Sequence, residues 1–142
     1  MVLERAEHLA ERHLQPAVGL DILEDDHAAV GEHLPELIAA GVDAVAPVDT
    51  SAGMSLGALK AEYGDRLAFV GGIDAESVLR NGTPESIRAA VQQALEDAAR
   101  GGGLILGASS EELFEDFPLE NILAMHEAVR SLGRYPIGAN FS

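Results

Sequence analysis

The chain has 142 residues, a formal net charge of −15 and no cysteine. This length allows one domain with a sizeable core. The excess of carboxylates argues against binding to nucleic acid or to an anionic membrane surface, because both ligands need a basic footprint. The lack of cysteine excludes disulfides and thiolate metal sites. No run approaches the roughly 20 apolar residues that span a bilayer, and residues 1–7 lack a secretion signal's layout. We therefore expect a cytoplasmic protein with one domain, residues 1–142.

Four short apolar runs alternate with helical patterns along the chain. They are residues 17–22, which form the weakest run, and residues 42–48, 67–72 and 104–108. Short, nearly continuous apolar runs indicate strands buried on both faces, and helices between them make the pairing parallel. Hydrophobic residues make up 47% of the chain and aromatic residues only 4%. That balance favours an aliphatic core between a parallel sheet and its helices.

The predicted helices have recognisable starts and stops. An amphipathic pattern over residues 3–14 precedes the first strand. Later boundaries are marked by capping residues, prolines and glycines, namely Pro35, Ser55, Gly64, Thr83, Pro84, residues 101–103, Pro118 and Gly133. Ser and Thr are favoured N-caps, Pro is tolerated in a first turn, and Gly ends helices. The repeating unit is therefore a strand followed by a helix.

Four such units with their helices on one side leave the second face of the sheet uncovered. A complete barrel closes that face on itself with eight strands. A doubly wound sheet instead covers both faces with helices, which requires a reversal of the strand order. Periodicity alone leaves both architectures open.

Several segments carry recognisable motifs in a consistent order. They are residues 37–45 followed by 52–54, and residues 64–74, 82–87, 101–106, 118–125 and 133–136. Together they resemble the uroporphyrinogen decarboxylase superfamily over about residues 34–137. The resemblance implies an α/β fold, the C-terminal half of a (β/α)₈ TIM barrel with four parallel strands alternating with helices. In that family the N-terminal half carries most of the substrate-binding arginine and aspartate residues.

The resemblance implies a partial uroporphyrinogen decarboxylase-like protein. The family reaction is decarboxylation of uroporphyrinogen side chains, without a cofactor, and we expect no activity without an N-terminal half. The alternatives are a subunit of a corrinoid-linked methyltransferase, a non-catalytic half-barrel that homodimerises, and an independent binder of small molecules. The expected partners are a small-molecule substrate, when the barrel is complemented, and either a second copy or an N-terminal half-barrel.

The catalytic candidates lie after the strands, because a barrel's productive face is at the strands' C-terminal ends. Asp74 is the best candidate, since it follows a predicted strand end. The competing interpretation is an Asp that accepts backbone N–H groups in its own loop. The resemblance places Ser109 and Ser110 where family members have a functional His or Cys. Ser110 is the second catalytic candidate, although a Ser without a neighbouring base is a poor nucleophile, and loop hydrogen bonding is the alternative.

Five residues after the strands are candidates for substrate binding: Asp49, Gly72, Ile73, Arg80 and Ser109. Arg80 is the only Lys or Arg in these loops. A polycarboxylate such as a porphyrinogen needs a cluster of guanidinium groups. Either the other half of the barrel supplies that cluster, or the substrate is not polyanionic.

No metal site is expected. Asp25 and His27 form a weak candidate pair, because an imidazole and a carboxylate can bind a divalent cation. A charged helix N-terminus explains the same residues. The zinc methyltransferases of the family use Cys ligands that this chain lacks.

Overall fold

The computed structural model of the protein describes residues 31, 33–110 and 115–138. In chain order the elements are α1 (Leu34–Ala39), β1 (Ala44–Val48), α2 (Leu56–Tyr63), β2 (Ala68–Ile73), a π-helix (Ala75–Arg80), α3 (Pro84–Ala98), β3 (Leu104–Ala108) and α4 (Leu119–Leu132). The predicted helix over residues 3–14 and the predicted strand over residues 17–22 lie outside the described residues.

The three described strands form one parallel sheet in the order β1-β2-β3. Val45 pairs with Phe69, and Phe69 pairs with Leu104. Parallel pairing, predicted from the alternation of strands and helices, is confirmed for these strands. Their sequential order contains no reversal, as in successive strands of a barrel. The remaining predicted strand, residues 17–22, belongs to the part of the chain that is not described.

The helix boundaries follow the capping signals of the sequence. The Ser55 hydroxyl accepts a hydrogen bond from the Ala58 amide at 3.3 Å and so begins α2. Thr83 and Ser86 form a reciprocal capping box at the start of α3, with Pro84 in its first turn. Pro118 directly precedes α4, and Gly133 ends it. The predicted starts of these three helices are confirmed.

One face of the sheet is buried beneath the helices. Phe69 and Ile73 of β2 are 0% and 1% exposed, and Ile87 and Val91 of α3 are both 0% exposed. Helix α3 packs on β2 and β3 and contacts α2 on one side and α4 on the other. Burying an aliphatic or aromatic side chain of this size stabilises the fold by roughly 1.5–3 kcal/mol. The core therefore lies between this face and the helix layer.

The opposite face of the sheet is open in the described part of the chain. Ile105 of β3 is 63% exposed, and Ala44 and Ala46 of β1 are also exposed. These residues alternate along their strands with residues that face the helices. Val70 of β2, which pairs with Ile105, is half-buried. The described elements thus cover one face of the sheet and leave the other uncovered.

Candidate functional site

The carboxyl ends of β2 and β3 are joined through Ser109. The Ser109 amide donates to the Ile73 carbonyl at 2.7 Å. The Ser109 hydroxyl accepts from the Ala75 amide at 3.2 Å. Three of the predicted residues, Ile73, Asp74 and Ser109, are therefore brought together at one edge of the sheet. Ser110 follows directly at the same edge, and its catalytic role remains a prediction.

Asp74 caps the π-helix that follows β2. Its Oδ1 atom accepts a hydrogen bond from the Ser77 amide at 2.8 Å. The Asp74 carbonyl accepts from the Leu79 amide at 3.2 Å, a separation of five residues that defines the π-helix. The capping geometry is present, and it holds the carboxylate of the half-buried Asp74 at the strand end. The segment up to Arg80 is predicted to be a loop, whereas in the structure residues 75–80 form one compact helical segment.

The two glycines before Asp74 serve close packing. Gly71 has φ +119° and Gly72 has φ +96°. A Cβ at Gly71 would lie 2.8 Å from the Val48 amide nitrogen, and one at Gly72 would lie 3.0 Å from a Leu56 methyl carbon. The missing side chain of Gly72 therefore makes room for α2. Substrate binding by the Gly72 backbone remains a prediction.

Arg80, at the end of the π-helix, is held by partners from two segments. Its Nη1 atom lies 3.1 Å from the Glu76 carboxylate, and its Nη2 atom lies 3.3 Å from Asp116. The guanidinium carbon stands 4.7 Å from the centroid of the Phe117 ring, a cation–π distance. The positive charge is thus balanced by two carboxylates. The Arg80 side chain therefore connects the segment after β2 with the segment after β3.

Asn121, in the first turn of α4, is a residue that the sequence analysis missed. It is 2% exposed. Its Nδ2 atom donates to the carbonyls of Leu79 at 2.9 Å and Gly82 at 3.0 Å. A signal was available, since Asn121 falls on the helical face that also carries Ala128 and Leu132, both buried. A polar residue on an inward face requires hydrogen-bond partners.

The segment after β1 makes its hydrogen bonds within itself. The Asp49 Oδ1 atom accepts from the Ser51 amide at 2.8 Å and from the Ser51 hydroxyl at 2.6 Å. This is the local turn that Asp side chains favour. These bonds do not join Asp49 to Asp74 or Ser109. Substrate binding by Asp49 therefore remains a prediction that concerns a separate part of the edge.

The described residues contain no group of three or more His, Cys, Asp or Glu side chains placed to hold a metal ion. Asp25 and His27 lie outside the described residues. A hollow of about 340 Å³ lies beside the start of α2 and is lined mainly by small and apolar residues, including Met54, Ala58 and Leu59. It includes none of the residues that cluster after β2 and β3. Within the described ranges, no helix is both long and apolar enough to cross a membrane.

A comparison with known protein families shows which family the chain belongs to. The family model described as uroporphyrinogen decarboxylase (URO-D) matches residues 27–132, which is more than half of the chain. The chain belongs to this family. The matched region of this URO-D family member contains all three described strands, the π-helix and Asn121. No curated protein matches the chain significantly.

Proposed function

We propose that this URO-D family member supplies part of an active site for a small-molecule substrate at the carboxyl ends of its strands. The observation that carries this proposal is the cluster at two strand ends, where Ser109 bonds to Ile73 and Ala75, the residues on either side of Asp74. Such edges are where parallel β/α folds bind ligands. Family membership makes decarboxylation the first reaction to test.

Further β/α units complete the site in this proposal, whether they lie on the same polypeptide or on another chain. The support is the open face of the sheet, where Ile105 is 63% exposed. An uncovered apolar sheet face is an association surface. A (β/α)₈ barrel removes such a surface by closing it on itself. A complementary N-terminal half-barrel is the partner that this geometry fits.

Decarboxylation is favoured over corrinoid-linked methyl transfer by the residues present. The chain has no cysteine to serve as a zinc thiolate ligand. Asp74 offers a half-buried carboxylate, which can hold a proton or accept hydrogen bonds from substrate N–H groups. The Ser109 hydroxyl already accepts a hydrogen bond from the Ala75 amide. We therefore assign the acid–base and hydrogen-bonding role to Asp74 and an architectural role to Ser109.

A polycarboxylate substrate would have to find its cations on the completing units. The described strand-end segments contain Asp49, Asp74, Glu76 and Asp116 but only one arginine. That arginine, Arg80, is already paired with Glu76 and Asp116. The chain alone therefore offers a polyanion a repulsive edge.

The test is complementation. The purified chain is mixed with the N-terminal half-barrel of a URO-D family protein, and uroporphyrinogen decarboxylation is followed by product chromatography. We expect a one-to-one complex, with activity only in the mixture and abolished by Asp74→Asn. A Ser55→Ala variant, altered at a cap away from the cluster, should keep the activity. A mixture that neither associates nor decarboxylates would contradict the proposal.

A second candidate is a non-catalytic half-barrel that homodimerises through the open sheet face. The observation in its favour is that Asp49, Asp74 and Arg80 all have partners within the chain. Light scattering separates the two candidates. A stable particle of twice the 14.9 kDa chain mass that rejects the half-barrel supports the homodimer, whereas a chain that exchanges into a mixed complex supports the enzyme.

A further inference from the structure

Asn121 provides the buried contact between the segments that follow β2 and β3. It lies in the first turn of α4, which follows the β3 segment. Its two acceptors, Leu79 and Gly82, lie in and just after the π-helix that follows β2. The last carbonyls of a helix have no donor within that helix. Asn121 supplies donors to two carbonyls at this end, so that one side chain spans both segments.

The orientation of the Asn121 amide is fixed by its partners. Both contacts of Nδ2, at 2.9 and 3.0 Å, are to carbonyl oxygens, which only accept hydrogen bonds. The reversed amide would place its own oxygen against these two oxygens. Only an NH₂ group satisfies both positions at once.

The oxygen of the Asn121 amide has no hydrogen-bond donor in the described part of the chain. This Oδ1 atom is also buried. A buried acceptor without a donor is unfavourable. The benefit of an asparagine here must therefore come from its two donors and not from the whole amide.

The same two segments are connected at two more places. Ser109 bonds to Ile73 and Ala75 at the strand ends. At the far end of the π-helix, Arg80 bonds to Asp116 and stands over Phe117. The pairs at Arg80 have exposed carboxylate partners, and such pairs contribute little. Asn121, at 2% exposed, is more deeply buried than Ser109 or Arg80.

We infer that Asn121 is a positioning residue that joins the first turn of α4 to residues 73–82 and thereby fixes Asp74 at the strand end. The inference rests on the proposed function only in treating Asp74 as part of the site. The path is short: Asn121 holds the end of the π-helix, and Asp74 caps the start of the same helix through Ser77. Loss of the Asn121 donors should therefore loosen the Asp74–Ser77 hydrogen bond.

The first experiment needs no substitution. Amide hydrogen exchange is measured by NMR on the intact chain, and the side-chain NH₂ protons of Asn121 and Asn81 are compared. Asn81 is exposed, although its NH₂ group also bonds to Glu76. Both protons of Asn121 should exchange about tenfold or more slowly than those of Asn81, because only Asn121 is buried. Exchange at the Asn81 rate would overturn the inference.

The second experiment compares Asn121→Asp and Asn121→Leu, which have similar size. Both should accelerate exchange of the Leu79, Asn81 and Gly82 amides by about tenfold or more and shift the Ser77 amide resonance. Amides in the middle of α3 should keep their rates. Ser131→Ala, which removes side-chain hydrogen bonds elsewhere on α4, is the matched control and should leave the π-helix unchanged. A uniform acceleration through the whole chain would contradict a positioning role.

A pH series separates hydrogen bonding from packing. In Asn121→Asp the introduced carboxylate faces two carbonyl oxygens, which raises its pKa and lets it donate one hydrogen bond only when protonated. Exchange in the π-helix should therefore be slower at pH 5.5 than at pH 7.5, after correction for the intrinsic pH dependence of exchange. Asn121→Leu keeps the neighbouring charged groups Glu76, Arg80 and Glu120 but introduces no carboxylate at position 121, so it should show no such change. Equal pH profiles for the two variants would refute the donor role.

These measurements are independent of the proposed reaction. If complementation yields no activity while the Asn121 variants loosen the π-helix, the proposed function fails and the positioning role stands. If activity is found but the Asn121 variants retain both the exchange pattern and the rate of the reaction, the positioning role fails and the proposed function stands.

Discussion

The two faces of the sheet differ sharply in what covers them. On one face Phe69 and Ile73 are 0% and 1% exposed beneath the helix layer, in which α3 packs on β2 and β3, whereas on the other face Ile105 is 63% exposed. The helices of a β/α repeat all pack on one side when right-handed crossovers join strands that lie in sequence order, as β1, β2 and β3 do. The difference shows that the covered face stabilises the fold of the described units. In the proposed function, the face left open by the described elements serves assembly.

The largest effect is expected from the covered face. Phe69→Ala removes a fully buried ring and should cost about 3–5 kcal/mol of unfolding free energy. Denaturant unfolding followed by circular dichroism measures this loss. Leu123→Ala, on the exposed side of α4, is the control and should change stability little, because Leu123 is 57% exposed. Equal effects of the two variants would mean that the packing described here is wrong.

The next largest effect is expected where the two glycines pass α2 and β1. Gly71→Ala places a Cβ against the Val48 backbone at a φ of +119°. The strained backbone alone should cost about 1–3 kcal/mol. Gly101→Ala is the matched control, because Gly101 also has positive φ but no atom within 4 Å. Gly71→Ala should lower the unfolding midpoint more than the control, and the reverse order would contradict the close approach.

These two predictions also show which parts of the structure a sequence can predict. The strands and helix starts were predicted because their signals are local: apolar runs, a Ser cap at Ser55 and a Thr-Pro pair at Thr83. The same holds for the proximity of Ile73, Asp74 and Ser109, since parallel strands end at one edge. The predicted strand over residues 17–22 and the pair Asp25 and His27 lie outside the described residues.

The contacts between the strand-end segments could not be predicted in this way. Arg80 meets Asp116 across 36 residues, and Asn121 meets Leu79 across 42 residues. Such pairs depend on the relative placement of α4 and the π-helix, which no local pattern encodes. The π-helix itself was missed because its five-residue hydrogen-bond spacing has no distinct composition.

A smaller effect is expected at the link between the segments. Arg80→Ala removes two ion pairs and a cation–π contact and should cost about 1 kcal/mol, because the carboxylate partners are exposed to solvent. Thermal unfolding at low and high salt measures it. Added salt should reduce the difference in stability between the intact chain and the variant, because it screens the ion pairs that only the intact chain has. If the variant and the intact chain had the same salt dependence, the ion pairs of Arg80 would contribute nothing to stability.

Asp74→Asn should have less effect on stability. Asn is as good an N-cap as Asp, so the stability change should be below about 0.5 kcal/mol. In the complemented enzyme the same change should abolish activity, because Asn cannot exchange a proton. Normal activity of a well-folded Asp74→Asn variant would remove Asp74 from the catalytic assignment.

The smallest effect on stability, and the most informative one, concerns the open face. The chain has no cysteine, so Ile105→Cys introduces a single thiol there, and Ala89→Cys on the exposed side of α3 is its control. We predict that a maleimide labels both thiols readily in the isolated monomer, and that addition of the complementary half-barrel protects only the one at position 105. Protection of that thiol in the monomer, or its undiminished labelling in an active complex, would contradict the account.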